Sequence, residues 1–228
     1  MKTIGLIGGM SWESTAHYYA LINRATAARL GGLHSAPILL HSVDFAPVAE
    51  MQKRGQWAEA GEQLAAIARA LEAAGAEIIG LCTNTMHLCA PEITVGLTVP
   101  FLHIADPTAD ALLADGISRV GLLGTRFTME QDFYADRLRA RGLEVIVPDV
   151  GITNLDGIIY NELCRGIISD ASRQVYVEAI ARLKARGAEA VILGCTEIGM
   201  LIDDSVSPLP AYDTTALHAE ALVLAALA

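Results

Sequence analysis

Two cysteines stand in matching surroundings. Leu81-Cys82-Thr83 closes an apolar run through Ile78 and Ile79, and Gly194-Cys195-Thr196 closes one through Val191, Ile192 and Leu193. Each run is preceded by the same tripeptide, Gly75-Ala76-Glu77 and Gly187-Ala188-Glu189. Short apolar runs of this kind read as buried parallel strands, so each cysteine is expected at a strand's carboxyl end. Thr83, Asn84 and Thr85 are of the N-capping type and predict a helix start directly after Cys82. A thiol on such a corner lies near unpaired backbone N–H groups and the positive end of a helix dipole, both of which favour the thiolate. An unperturbed cysteine has a pKa of about 8.5, so a modest downward shift supplies a base at neutral pH. Two such thiols brought opposite each other would titrate as a coupled pair, one available as base and the other as acid.

A buried cysteine is ordinarily a small hydrophobe. Cys89 and Cys164 lack the strand-end Cys-Thr context and read as packing, whereas Cys82 and Cys195 recur 113 positions apart, about half of the 228 residues. That period indicates two similar lobes and not a solenoid, whose repeats run to about 20–50 residues. Two more landmarks recur in the same order, Gly5 with Gly121 and Asp106 with Asp213.

The elements that must position the cysteines follow from the pattern. Strands are expected over 2–7, 37–43, 99–104, 119–123 and 143–148, besides those ending at the cysteines. Helices are expected after Ser11 or Ser14, over 57–74 with Gly75 as the stop, over 158–168, and over 171–186 with Gly187 as the stop. Asp106 and Asp213 each read as the cap of a helix, the first with Pro107 in its opening turn. Asp44 reads as a cap where the second strand ends. Alternating strands and helices predict an α/β fold of two similar lobes, each a parallel sheet flanked by helices, related by a pseudo-two-fold with the site in the cleft between them. Ligands in such sheets sit beyond the strands' carboxyl ends, where both cysteines are expected. The first lobe is expected to comprise 1–104 and 213–228, and the second 105–212.

Composition excludes several classes. With 53% hydrophobic and 18% charged residues the chain is not disordered. No apolar run approaches the roughly 18 residues of a membrane span, and no signal peptide is visible. A net charge of −10 argues against nucleic acid or an anionic membrane as partner. The four cysteines show no C-x-x-C spacing, so neither a zinc site nor an oxidising compartment is expected, and the cytoplasm is the default. Gly5-x-x-Gly8-Gly9 departs from the dinucleotide fingerprint. Its glycines are instead expected to permit a tight turn and the close approach of a small ligand.

Leu81-Cys82-Thr83-Asn84-Thr85-Met86-His87 and Leu193-Gly194-Cys195-Thr196-Glu197-Ile198 resemble the two signatures of the aspartate/glutamate racemase family, cofactor-independent amino-acid racemases. Gly8-Gly9-Met10-Ser11-Trp12 and His41-Ser42-Val43-Asp44-Phe45 are similar to the branch that contains bacterial aspartate/glutamate racemases, and the likeness spans nearly the whole chain. It implies an isomerase that inverts the α-carbon of a free amino acid with Cys82 and Cys195 as acid and base, and without pyridoxal phosphate or metal. It also implies substrate contacts at Met10, Gln52 and Asn84, and a homodimer. The hydroxyls of Thr83, Thr85, Thr125 and Thr196 are candidates to hold the substrate carboxylate while a carbanion develops. His87 and Glu197 stand close enough to the cysteines to tune or relay protons, or simply to hydrogen-bond. Glu197 is also a candidate substrate contact, and its charge is expected to raise the Cys195 thiol and leave Cys82 as the thiolate.

Aspartate-specific relatives clamp the side-chain carboxylate with two cations. Lys53, Arg54, Arg126 and Arg165 are possible clamps here, and 160–164 holds no lysine. A broader or neutral polar substrate is therefore also open. So are hydantoin racemisation, maleate isomerisation and a non-catalytic small-molecule binding module, since a fold does not fix a reaction.

Overall fold

The computed structural model describes all 228 residues, which divide into two compact units, 1–104 with 218–228, and 105–217. In the first unit the order is β1 (Ile4–Gly8), α1 (Trp12–Leu30), β2 (Ile38–Ser42), α2 (Phe45–Arg54), α3 (Trp57–Ala73), β3 (Ile78–Leu81), a 3₁₀ turn (Thr85–Cys89), α4 (Ala90–Thr94) and β4 (Phe101–Leu102). The strands form one parallel sheet in the order β2-β1-β3-β4. The second unit holds α5 (Ala105–Ala114), β5 (Arg119–Gly124), α6 (Arg126–Glu130), α7 (Asp132–Arg139), β6 (Glu144–Ile146) and α8 (Ile152–Asn161). It continues with a 3₁₀ turn (Leu163–Arg165), α9 (Asp170–Ala185), β7 (Ala190–Gly194), a 3₁₀ turn (Ile198–Met200) and β8 (Ala211–Asp213). Its parallel sheet repeats the topology as β6-β5-β7-β8. Helix α10 (Thr214–Leu227) opens in the second unit and closes in the first, the division falling at His218 and not at 213. Thr214 Oγ1 donates to Leu193 O at 2.9 Å, which ties that first turn to β7.

Why the tripeptide recurs is visible in its bonds. Gly75 and Gly187 end α3 and α9 at φ of +101° and +93°, a region open to glycine. The next residue turns back in the same way in both units, Ala76 N to Leu71 O and Ala188 N to Leu183 O, each at 3.0 Å. The glutamate then clips the start of the neighbouring strand. Glu77 Oε2 accepts from Thr3 N at 2.9 Å, and Glu189 Oε2 accepts from Arg119 N at 2.8 Å and Ser118 N at 2.7 Å. Those backbone donors, Arg119 first, hold the Glu189 carboxyl below its ordinary pKa. The two strands that end at the cysteines are thus registered by the same device.

Each sheet is covered on both faces. Ile7, Leu64, Ala68, Leu71, Ile79, Leu81 and Met86 are buried on one side of the first sheet. Ile4, Leu6, Tyr18, Ile22, Ile78 and Leu222 form a second cluster in that unit, which includes Cys82. Full burial of a Leu or Ile side chain contributes about 1.5–3 kcal/mol, so these clusters fix where the strand ends can lie. In the second unit Leu123, Leu155, Ile159, Tyr176, Ile180, Leu183, Val191 and Leu193 pack with Cys195.

Several expectations need correction. The chain after Cys82 does not enter an α-helix. It forms a 3₁₀ turn with no side-chain cap, and α4 begins only at Ala90, next to Pro91. Asp213 does cap, with Oδ1 accepting from Thr215 N at 2.8 Å. Asp106 does not, because α5 begins one residue earlier and its carboxylate pairs with Arg137 at 2.6 Å. The helix expected over 158–168 lies instead at Ile152–Asn161, begun by Gly151 at φ +81° and left at Glu162, whose backbone is non-helical. Ser11 caps α1 and Asp44 caps α2, through Ser14 N at 3.2 Å and Ala46 N at 3.1 Å.

Candidate active site

Both cysteines occupy the same topological place. Cys82 follows β3 and Cys195 follows β7, the strands third in their sheets and each beside the first strand of its unit. Cys82 N donates to Ile7 O at 2.9 Å, which draws the corner against the end of β1.

The loop after β1 packs tightly against the segment that follows β2. Gly9 has φ +93°, and a Cβ there would collide with the backbone of Val43. Gly9 N donates to Thr15 Oγ1 at 2.8 Å. Met10 beyond it is buried in the core beneath α2 and α3. In the second unit the matching position is Thr125, which caps α6 by accepting from Thr128 N at 3.3 Å.

The surroundings of Cys82 are apolar on the strand side and polar beyond it. Its thiol is 0% exposed, and burial pushes its pKa well above the ordinary value. Thr83, Asn84 and Thr85 are all buried. His87 binds backbone at both ring nitrogens. Nδ1 lies 2.7 Å from Thr83 O, and Nε2 accepts from Ile104 N at 3.2 Å. The ring therefore braces the Cys82 corner, with the proton on Nδ1. His103 stacks edge-on against it at 4.4 Å. Gln52, buried on α2, donates from Nε2 to Met86 Sδ at 3.0 Å.

Cys195 is set differently. Its Sγ donates to Glu197 Oε2 at 3.0 Å, and Thr196 Oγ1 donates to the same oxygen at 2.6 Å. Burial first, and then the negative charge of Glu197, push the thiol well above its usual pKa. The thiolate expected from the strand-end position is therefore overturned at Cys82, while Cys195 is raised as expected from its neighbour Glu197, with burial as the larger cause. Neither corner presents the first turn of an α-helix, and removing a thiolate from water outweighs what local donors return.

Sequence reasoning also missed part of the Cys195 surroundings. Cys164, half-buried, packs against the cluster of Cys195, and its charge would raise that thiol further. Tyr160 and Tyr176 interact electrostatically with both cysteines and with Glu197, and both phenols are pushed upward, chiefly by burial. Tyr176 is spoken for, since its hydroxyl donates to Leu155 O at 3.0 Å. No motif marks 160–164. Only the turn after α8 brings this segment near the end of β7.

The candidate clamps stay at the surface. Lys53, Arg54, Arg126 and Arg165 are exposed. Arg54 pairs with Glu50 at 2.8 Å, and Arg126 lies 3.8 Å from Glu130 and over the Phe127 ring. The groove lined by His41, Ser42, Asp44 and Gln63, about 320 Å³, contains neither cysteine among its walls. No group of three or more His, Cys, Asp or Glu is arranged to hold a metal ion, and no helix is long and apolar enough to cross a membrane.

The model of the Asp/Glu/Hydantoin racemase family matches residues 7–222. The chain belongs to that family. This racemase-family chain is 50% identical to a Yersinia pestis protein whose crystal structure is described as that of a candidate Asp/Glu racemase, with a TM-score of 0.92 over 100% of both chains. It is 33% identical to an aspartate racemase homologue from Pyrococcus horikoshii OT3, with a TM-score of 0.86 and again 100% of both chains. Among curated proteins it is 28% identical over 162 residues to the broad specificity amino-acid racemase RacX of Bacillus subtilis (strain 168), covering 69% of this chain and 68% of that one. Against several glutamate racemases the match spans about half of their length. The two parallel four-stranded sheets are those of a racemase-family fold, and the family's members named here are isomerases.

Proposed function

We propose that the protein racemises a free α-amino acid without cofactor, using Cys82 and Cys195 as the acid and base. The observation that carries this reading is the equivalence of the two thiols, each at the carboxyl end of the third strand of its own sheet and each followed by threonine.

One thiolate takes the Cα proton and becomes a thiol. The electron pair left on Cα is drawn into the adjoining carboxylate, and the thiol on the opposite face gives its proton to Cα, becoming the thiolate. Product is the other enantiomer, and the two thiols have exchanged roles. The hydroxyls of Thr83, Thr85, Thr125 and Thr196, with Asn84 and Gln52, are buried and uncharged, which suits them to hold a carboxylate whose charge grows in the transition state. The upward pKa shifts fit a demanding proton transfer, because a thiolate that is costly to form is a strong base once formed. They also require substrate to assist in ionising one thiol.

Loss of the α-proton signal of an amino acid in deuterated water, followed by NMR, tests the reading. Exchange with inversion, followed in parallel by chiral chromatography, is expected with the wild-type protein, and inversion is expected to be lost in Cys82→Ala and in Cys195→Ala, each of which keeps one thiol able to exchange the α-proton on its own face. Inversion persisting in both variants would remove the thiols from the mechanism.

A further inference from the structure

Helix α1 is turned the wrong way round for a helix that meets only water. Its buried residues are Ser14, Thr15, Tyr18, Ile22 and Thr26, four of which bear hydroxyls. Trp12, 67% exposed, and Tyr19, 55% exposed, point outward instead, and they are the two exposed aromatic residues of the chain. At about 3.6 residues per turn, Trp12, Ala16, Tyr19, Asn23, Ala27 and Leu30 share one outward stripe, with the spacing that ordinarily marks a covered face. The apolar surface continues past the helix. Leu33 and Leu40 are exposed, and Leu40 reaches the α1 side of the sheet, where it and Thr15 both crowd Gly8. Leu40 belongs to β2, an edge strand of its sheet. Single exposed apolar residues are ordinary, but aromatic residues gathered on one stripe mark an interaction surface.

A second copy of the same helix fits this stripe. Large and small residues alternate along it, so two copies running antiparallel about a two-fold near Tyr19 and Ala20 interlock. Trp12 then faces the partner's Ala27, Tyr19 faces the partner's Ala20, and Ala16 faces the partner's Asn23. Alanines at the crossing let the two axes approach to about 8–10 Å. The charges agree with that arrangement. Glu13, in the first turn, and Arg24 lie on the same flank of the stripe. The two-fold brings Glu13 beside the partner's Arg24, and symmetry makes the pair twice. The two rings alone offer roughly 250 Å² of the about 800 Å² that each copy of a standard dimer covers, and the alanines with Leu30, Leu33 and Leu40 extend that area.

We propose that the outward face of α1 is the contact between two copies of this chain, joined by a two-fold with the helices antiparallel. The surface stands on packing and charge, so it holds or fails independently of the racemase reading.

Sedimentation velocity of the full-length protein tests it, between about 0.1 and 50 µM, a range that spans the affinities of ordinary dimers. The wild-type chain, 24.1 kDa, is expected to sediment as two copies. Trp12→Ala should weaken the dimer by about 30-fold or more, because an aromatic anchor counts twice across a two-fold. Ala16→Glu, which puts a charge in the middle of the stripe, should weaken it by about tenfold or more. Glu13→Arg and Arg24→Glu should each weaken it about three- to tenfold, whereas the double exchange should return it to within about threefold of wild type. Ala16 and Arg24 are exposed, so those two variants keep the fold whatever becomes of the others. A wild-type monomer at 50 µM would leave this face to another occupant and overturn the proposal. A dimer indifferent to both Trp12→Ala and Ala16→Glu lies elsewhere on the chain and overturns it too. A double exchange no tighter than Arg24→Glu alone would overturn the antiparallel arrangement.

Discussion

Replacing Glu197 with glutamine should make the Cys195 thiol easier to ionise, by an amount that can be worked from its contact. Glu197 Oε2 lies 3.0 Å from Cys195 Sγ, and its charge is the largest influence on that thiol after burial. Two unit charges 4 Å apart at an effective dielectric of 20 repel by about 4 kcal/mol. The carboxylate spreads its charge over two oxygens and the site relaxes, so only part of that repulsion is released and the Cys195 thiol moves down toward its ordinary pKa. The thiolate fraction rises, but a less basic thiolate is a weaker nucleophile with a Brønsted coefficient of about 0.4–0.5, so about half of the gain survives on a logarithmic scale. The net gain in alkylation rate is about tenfold. Iodoacetamide labelling at pH 8, read peptide by peptide by mass spectrometry, measures it. Cys82, whose pKa is moved by burial alone, serves as the internal reference. Equal or slower labelling of Cys195 in the variant, with Cys82 unchanged, would refute the electrostatic reasoning.

Cys89→Ala should leave exchange nearly intact, because that thiol only donates to Trp57 O at 3.4 Å within the core of the first unit; kinetics of the purified variant check this. Gly9→Ala should destabilise the protein by about 2–3 kcal/mol, since alanine disfavours φ +93° and its methyl group meets the Val43 backbone; urea unfolding gives the value. Tyr18→Phe should cost about 1–2 kcal/mol in the same assay, the buried Tyr18 hydroxyl lying 2.9 Å from His218 Nδ1. Stability should also fall in alkali. Burial raises Cys82, Cys89 (to about 12) and Cys195 above the ordinary thiol value. The unfolded chain therefore ionises first, so stability is steady below about pH 9 and is lost as pH climbs from there toward 12. Urea midpoints at pH 8, 9.5 and 11 test the sign.

The chemistry-bearing positions were legible in the sequence because they are local. An apolar run ending in Cys-Thr states a strand and its corner, and repetition of Gly-Ala-Glu at half the chain length states that the corner occurs twice. Seven of the eight strands, all but β8, the stops at Gly75 and Gly187, and the caps at Ser11, Asp44 and Asp213 could be read in the same way, since a turn or a cap is decided by neighbours within a few residues. Likewise the glutamates of the repeat could be recognised, but not what they do, because Glu189 meets Ser118 and Arg119 some 70 positions away.

What tertiary structure decided is the state of the thiols. Local reasoning favoured the thiolate at Cys82 and flagged the charge of Glu197 against it at Cys195, whereas ionisation depends on how much water the whole fold removes, and burial is the largest influence on both and reverses the sign at Cys82. Asp106 shows the same limit, a cap by sequence that becomes the partner of Arg137 once α5 packs beside α7. Cys164 and Tyr160 carry no motif and reach Cys195 only because α8 ends where it does. Sequence order sets which groups are present. Desolvation and long-range packing set the charge each one carries, and these belong to the folded chain alone.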